Sequence, residues 1–370
     1  MNILIINLIL TTAENGVIIR RNSIRDCMIC NFARGFIANG HKVTLLAAED
    51  FRPLKEETYP FEVIYFKSRW SSVFKPGLLP YPIGFIKFLK ENHEQFDMVV
   101  SSEAFSIGTW MAARVCPQKL VVWQEMAFHQ HLLFSLPSKL WHNLVVRHYY
   151  KKAIAVGRSE KARNFISKYM KHVSNVIVDH GADADVLFPA SKNDDAFIVM
   201  SQLSKRKNIQ KTIAIFASFI KNQKYSHYKL NIVGDGPEEK NLKDLVKKLT
   251  LTDSVNFLGF LCHEKAALLL RHSKAMLINT ISDLNMVSIP ESIISGTPVV
   301  MNTVPTSASF IKENHLGIVR DSWDSQDLEK LVNNYETYHQ SCISIRDSLT
   351  NVGCAKRMTE LFIHHNDNCS

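Results

Sequence analysis

Residues 3–10 read Ile-Leu-Ile-Ile-Asn-Leu-Ile-Leu, an apolar run with no helical period. Such a run fits a strand buried on both faces of a parallel sheet. A polar loop follows, Thr11 to Gly16. Asp26 to Asn39 then shows helical spacing and stops at Gly40. Val43 to Ala47 is a second apolar strand, so the opening is one βαβ unit.

The alternation continues along the chain. Phe61–Tyr65, Met98–Ser101, Leu120–Trp123 and Ile154–Val156 read as strands, with helices expected at Phe105–Arg114 and Ser138–Lys152. The pattern breaks near Gly181-Ala182-Asp183 and the polar stretch Ser191 to Asp195. A second alternation starts at once. Strands are expected at Phe197–Ser201, Lys229–Val233, Ser254–Leu258, Ala275–Ile278 and Pro298–Asn302. Helical spacing falls at Ile209–Lys221, Lys240–Leu249, Glu264–Arg271 and Glu291–Ile294. The fold expected is α/β, two tandem Rossmann-like doubly wound domains with a cleft between them. The boundaries expected are 1–190 for the first domain and 191–345 for the second. A helical segment, 346–370, is expected to cross back to the first.

Composition agrees with two soluble domains. The chain has 370 residues, 46% hydrophobic and 21% charged, with no repeat or low-complexity tract. The formal net charge of +9 favours anionic partners without choosing between nucleotides, lipid and nucleic acid. The opening run lacks the basic start and cleavage site of a signal peptide, and no stretch is long enough to span a membrane. The two placements left open are the cytoplasm and peripheral contact with the inner face of the plasma membrane. Seven cysteines, an odd and scattered set, suit a reduced compartment. Cys27 and Cys30 form a CxxC with no second half-site, and at helical spacing they read as core rather than metal ligands.

Three stretches carry chemistry. Val233-Gly234-Asp235-Gly236-Pro237 closes a strand where glycines allow a tight turn and a close approach. Lys205-Arg206-Lys207 follows the second domain's first strand, a place suited to phosphate and equally to a solvated basic loop. Glu291 opens a helix after Asn285 to Pro290, where it can accept sugar hydroxyls or merely complement the helix dipole.

Their order is more specific than any one of them. Gly181-Ala182-Asp183, Phe188-Pro189, Leu203, Lys207-Asn208, Val233 to Pro237, Val255 with Phe257 to Phe260, Thr280, Asp283, Glu291 and Gly296-Thr297-Pro298-Val299-Val300 stand in sequence. Together they resemble the family-4 retaining glycosyltransferases of GT-B fold, the glycosyl transferases group 1. Ala33-Arg34-Gly35-Phe36 to Gly40-His41-Lys42-Val43-Thr44 extends the likeness more loosely into the first half.

The resemblance implies a nucleotide-sugar donor, a UDP- or GDP-sugar, held without a metal. It puts Glu291 on the ribose, Asp283 against the donor sugar, and Lys207 on the diphosphate. Gln202 takes the place of that cation's usual arginine partner. Backbone near Met286, Val287 and Ser288 faces the phosphates, Gly259 and Phe260 the base, and Gly234 and Gly16 line the glycine turns. Leu284-Asn285-Met286 replaces the usual Gly-Phe-Gly. The customary cleft histidine is missing, and Glu125 and His129 stand near its place; for His129, packing at a loop is an equal alternative. The implied reaction transfers a sugar with retention to a glycan or lipid-linked acceptor in surface polysaccharide or lipopolysaccharide assembly.

Segments 66–90 and 139–152 mix aromatic, aliphatic and basic residues, which suits an anionic membrane or an ordinary basic helix face. Nucleic acid is not expected, because no recognition module appears. A dehydrogenase is set aside by the missing GxGxxG after the first strand. Nucleotide-sugar epimerases share the fold, but the Gly296-Thr297-Pro298 signature and the spaced acids argue against them. A degenerate, weakly active or inactive GT-B protein acting as a binding subunit remains beside the enzyme, favoured by Gln202 and Leu284-Asn285-Met286.

Overall fold

The first strand is shorter than its apolar run. In the computed structural model β1 spans Asn2–Ile6, because Asn7 turns the chain by donating its amide to the carbonyl of Ile9 at 3.2 Å. The residues described are 1–11, 18, 20–25, 27–75, 77–130, 132–282 and 286–367. They divide into two units: Met1–Gly181 with Asn351–Ser370, and Ala182–Thr350.

In the first unit β1 is joined by β2 (Lys42–Ala48), β3 (Glu62–Phe66), β4 (Met98–Ser102), β5 (Leu120–Gln124), β6 (Ile154–Gly157) and β7 (His172–Val173). Their order is β3-β2-β1-β4-β5-β6-β7, all parallel. Ile3, Leu4 and Ile5 are fully buried, as a central parallel strand requires. Trp123 on β5 stacks on Phe32 at 4.4 Å between centroids and donates its indole N–H to the Val178 carbonyl at 2.7 Å. Cys30 is buried in the same core.

The helix Met28–Ala38 is covered by the last helix, Asn351–Asp367. Ala355, Met358 and Phe362 of that helix join the first unit's core. The approach is close enough that a Cβ on Gly35 would sit 2.2 Å from the Asn351 carbonyl oxygen. Asn351 in turn donates its amide to the Asn31 side chain at 2.9 Å.

The helix expected at Ser138–Lys152 is broken into Leu136–Trp141, a π-helical turn at His142–Val146, and Arg147–Tyr149. Ser138, His142, Val146 and Tyr150 form its buried side.

The second unit contains β8 (Ala196–Met200), β9 (Lys229–Val233), β10 (Val255–Gly259), β11 (Ala275–Ile278), β12 (Val299–Met301) and β13 (Gly317–Val319). Their order is β10-β9-β8-β11-β12-β13, again parallel. Phe197, Phe216, Phe219 and Tyr228 pack together at its centre. Each unit is therefore a doubly wound Rossmann-like domain. In such sheets the order reverses at one point, between β1 and β4 in the first unit and between β8 and β11 in the second. No helix among the described residues is long and apolar enough to cross a membrane.

Candidate functional site

The loops leaving the carboxyl ends of β8 to β12 are tied into a rim. Leu203 donates its backbone N–H to the Asp235 carbonyl at 2.7 Å, joining the β8 and β9 loops. Gly234 donates to the Gly259 carbonyl at 2.9 Å, joining β9 to β10. Ile281 donates to the Arg206 carbonyl at 2.8 Å, and the Thr280 hydroxyl donates to the same oxygen at 3.0 Å. That second pair bridges β8 and β11 across the switch point. Asn302 completes the rim, donating its amide to the Thr280 carbonyl at 2.7 Å.

Gly234 explains why the sequence needs glycine there. It lies at φ +128°, and a Cβ would stand 2.0 Å from the Ser201 carbonyl oxygen. No other residue lets the β9 turn lie this close to the β8 loop.

Inside the rim, between β8 and β11, is a small hollow, partly open to solvent, with room for about one water. Ser201, Lys207, Thr212, Asn279, Thr280 and Met286 help to line it. Lys207 ends a short 3-10 turn, Lys205–Lys207, whose cap Asn208 has left-handed backbone at φ 50°. Arg206 donates from Nη1 to the Ser282 carbonyl at 2.9 Å.

The other expected donor-side residues take the following places. Gln202 is exposed on the β8 loop. Gly259 ends β10 at φ 65°, and Phe260 after it is 78% exposed. Val287 is exposed just before the helix Ser288–Ile294. Glu291 on that helix is largely buried and sits 3.3 Å from Nε2 of His263. Nε2 of His263 makes no well-aligned hydrogen bond to that oxygen, and the two form an ion pair when the ring is protonated. Gly16 and Asp283 lie outside the described residues.

In the first unit, the carboxyl ends of β4, β5 and β6 carry a different cluster. Arg158, nearly buried, donates from Nη1 to Glu125 at 2.6 Å and from Nε to Asp179 at 2.9 Å. Its third nitrogen meets Nδ1 of His180 at 2.9 Å, and its guanidinium lies 4.8 Å over the Trp123 ring. Burial opposes the charge on Asp179, but His180 and Arg158 outweigh it and hold the carboxyl well below the usual range.

Glu103 stands beside them in left-handed backbone at φ 66°. Its carboxylate accepts from the backbone N–H groups of Glu125 and Met126 and from the Gln124 amide. Burial raises it to about 7 despite these donors.

Glu125 and His129, expected near one point, have separate surroundings. Glu125 is half exposed beside Arg158. His129 is engaged at both ring nitrogens, with Ser138 Oγ at 3.1 Å and Tyr169 Oη at 3.0 Å. His142, Phe165 and Tyr169 pack around its ring. Among the described residues no group of three or more His, Cys, Asp or Glu side chains is placed to hold a metal ion.

Sequence reasoning missed His263, Glu103, Arg158, Asp179 and His180. Only Arg158 gave a signal, a cation directly after the apolar strand Ile154–Gly157. The others meet their partners through the fold.

Residues 187–345, nearly the whole of the second unit, match the family model of the glycosyl transferases group 1. The second unit carries a glycosyl transferases group 1 domain. A curated relative, the alpha-monoglucosyldiacylglycerol synthase of Streptococcus pneumoniae, is 26% identical over 175 residues. That stretch is 43% of this chain and 39% of the relative, so the match spans less than half of the relative's length.

Solved structures show the same fold over nearly all of the chain. HepE of Anabaena, solved in complex with UDP, is similar at a TM-score of 0.60 and 16% identity, covering 98% of this chain and 100% of that one. The lipopolysaccharide outer core galactosyltransferase WaaB is similar at a TM-score of 0.61 and 12% identity, covering 98% and 99%. In the group 1 domain described here, the hollow at the β8–β11 switch point is therefore set in the GT-B type of fold.

Proposed function

We propose that the chain is a retaining glycosyltransferase that moves a sugar from a UDP- or GDP-sugar to a glycan or lipid-linked glycan. The setting proposed is cell-surface polysaccharide or lipopolysaccharide assembly. One observation carries this reading: a cation-bearing hollow at the switch point of the group 1 domain, where doubly wound sheets take their ligands.

In this reading the second unit is the donor side. Lys207 neutralises the diphosphate, the backbone of Met286 to Ser288 meets the phosphates, and Glu291 accepts the ribose hydroxyls. Gly234 keeps the β9 turn out of the donor's way, and Gly259 with the exposed Phe260 offers a face to the base. Asp283 faces the donor sugar. The first unit is the acceptor side, where Glu125, half exposed, is better placed to meet a ligand than His129 with both nitrogens engaged.

The chemistry rests on positioning and on stabilising charge at the departing diphosphate, with the leaving phosphate taking the acceptor proton. No covalent carboxylate intermediate is required, in contrast to retaining hydrolases. UDP bound to HepE and the glycolipid product in the name of the pneumococcal relative support a uridine nucleotide and a lipid-borne acceptor. A lipid-borne acceptor also favours peripheral contact with the inner face of the plasma membrane, with the protein otherwise cytoplasmic.

Thermal stabilisation by a panel of UDP-, GDP- and ADP-sugars tests the reading, since a ligand of the native fold raises Tm by mass action. A shift with one base, lost in Glu291→Ala, is expected. Lys207→Ala removes a charge-assisted contact of about 1.5–3 kcal/mol, roughly 10- to 100-fold in affinity. No shift with any nucleotide would turn the reading to a degenerate binding subunit.

A further inference from the structure

The broken helix 136–149 presents an apolar ridge that is at least half exposed among the described residues. Phe134 is 98% exposed, Leu144 66%, Leu136 57% and Leu140 50%. The three leucines recur every fourth residue and so share one side of the helix. Ser138, His142, Val146 and Tyr150 are the buried side. Tyr150 and Trp141 both donate to the Ala104 carbonyl, at 3.0 and 2.9 Å, and fix the ridge to the loop that follows β4. Four large apolar side chains in succession at a surface mark a binding face rather than scattered exposure.

The charge around the ridge selects the partner. From Met126 to Ser159 the sequence holds no Asp or Glu. Lys139, Lys151, Lys152 and His148 are all exposed there. A second copy of the chain, packed ridge to ridge about a twofold axis, would bring lysines against lysines with no acid between them. An anionic lipid surface supplies hydrocarbon for the leucines and negative charge for the lysines at once.

We propose that residues 134–152 are the docking surface of this chain on an anionic bilayer, with Phe134, Leu136, Leu140 and Leu144 entering the acyl boundary and the lysines meeting lipid phosphates. The proposal rests on the peripheral-membrane reading above and moves the contact to this ridge from the segment 66–90. There the exposed apolar side chains, Trp70 at 50% and Val73 at 75%, lie in a turn and form no helical row, while Phe66 packs on Phe85 at 5.0 Å.

The test is co-sedimentation of the full chain with vesicles of phosphatidylglycerol and phosphatidylcholine, against phosphatidylcholine alone. The wild type should bind only the anionic vesicles, more weakly at high salt. The double variant Leu140→Gln, Leu144→Gln and the triple variant Lys139→Glu, Lys151→Glu, Lys152→Glu should each lose at least tenfold in partitioning. Their melting temperatures should stay at the wild-type value, because all five side chains are exposed.

Wild-type binding that survives in both variants but is lost on charge reversal of Lys67, Arg69 and Lys75 would overturn the ridge and keep the peripheral reading. No binding by the wild type would overturn both. A wild-type dimer in sedimentation equilibrium without lipid, dissociated by the leucine variant, would give the ridge to a second copy and overturn the lipid assignment. Nucleotide stabilisation is measured separately and does not depend on any of these outcomes.

Discussion

His263 and Glu291 face each other across 3.3 Å on two different helices of the second unit. The carboxylate raises the histidine's pKa from its ordinary value, against partial burial, with help from Asp183 and Glu264. A raised folded pKa means that the pair's stabilisation is fully present below about 6.5, the unfolded value, and is lost as pH rises through the folded one. His263→Gln should therefore melt below the wild type at pH 6, and the gap should close towards pH 9. The histidine is more than a third exposed, so the gap should be a few tenths to about 1 kcal/mol. An equal gap at both pH values, read by thermal unfolding, would remove charge from the account.

Arg158 is the opposite kind of group, a nearly buried cation with two carboxylates and an aromatic face around it. Arg158→Met keeps the volume and removes the charge. Glu125 and Asp179 keep some contact with water, so we expect a cost of about 1–3 kcal/mol rather than the full penalty of a stranded buried charge. The acid limb should move as well. The depressed carboxyl of Asp179 stabilises the fold above its unfolded pKa, and that contribution is lost as pH falls towards the folded value. Without Arg158 it titrates nearer the ordinary range, so acid unfolding followed by circular dichroism should begin at a higher pH.

Gly234→Ala should destabilise by about 2 kcal/mol or more, through both the strained backbone and the clash with Ser201. The denaturant midpoint should fall with an unchanged slope. A neutral outcome would mean that the β8 and β9 loops can separate.

The strands were readable because both sheets are parallel and buried on both faces, so β1, β2, β8 and β11 announce themselves as apolar runs. β7 was not, being two residues long, and β13 was not, because only one of its three residues is buried and it makes no apolar run. The broken helix 136–149 keeps helical spacing in sequence, and nothing in that spacing shows a π turn at His142–Val146. At the site, Lys207 stood out by its place after a strand and Glu291 by its place at the start of an expected helix, which begins at Ser288 in the structure. His263 did not, because its partner lies 28 residues further on (291 − 263) and is brought back only by the packing of two helices. His129 shows the reverse, a residue conspicuous by type whose two nitrogens are taken up by Ser138 and Tyr169.

The helix Asn351–Asp367 has a consequence for the order in which the protein is made. The first unit's sheet leaves the ribosome early, but the helix that covers Met28–Ala38 begins 170 residues after Gly181 (351 − 181). At about 5–20 residues per second, a nascent chain waits roughly 10–30 s with Phe32, Phe36 and their neighbours lacking part of their cover. The second unit, encoded as one uninterrupted stretch, finishes first. The amino-terminal unit is thus the last to close, and a chain released early leaves the ribosome with one finished domain and one still sticky.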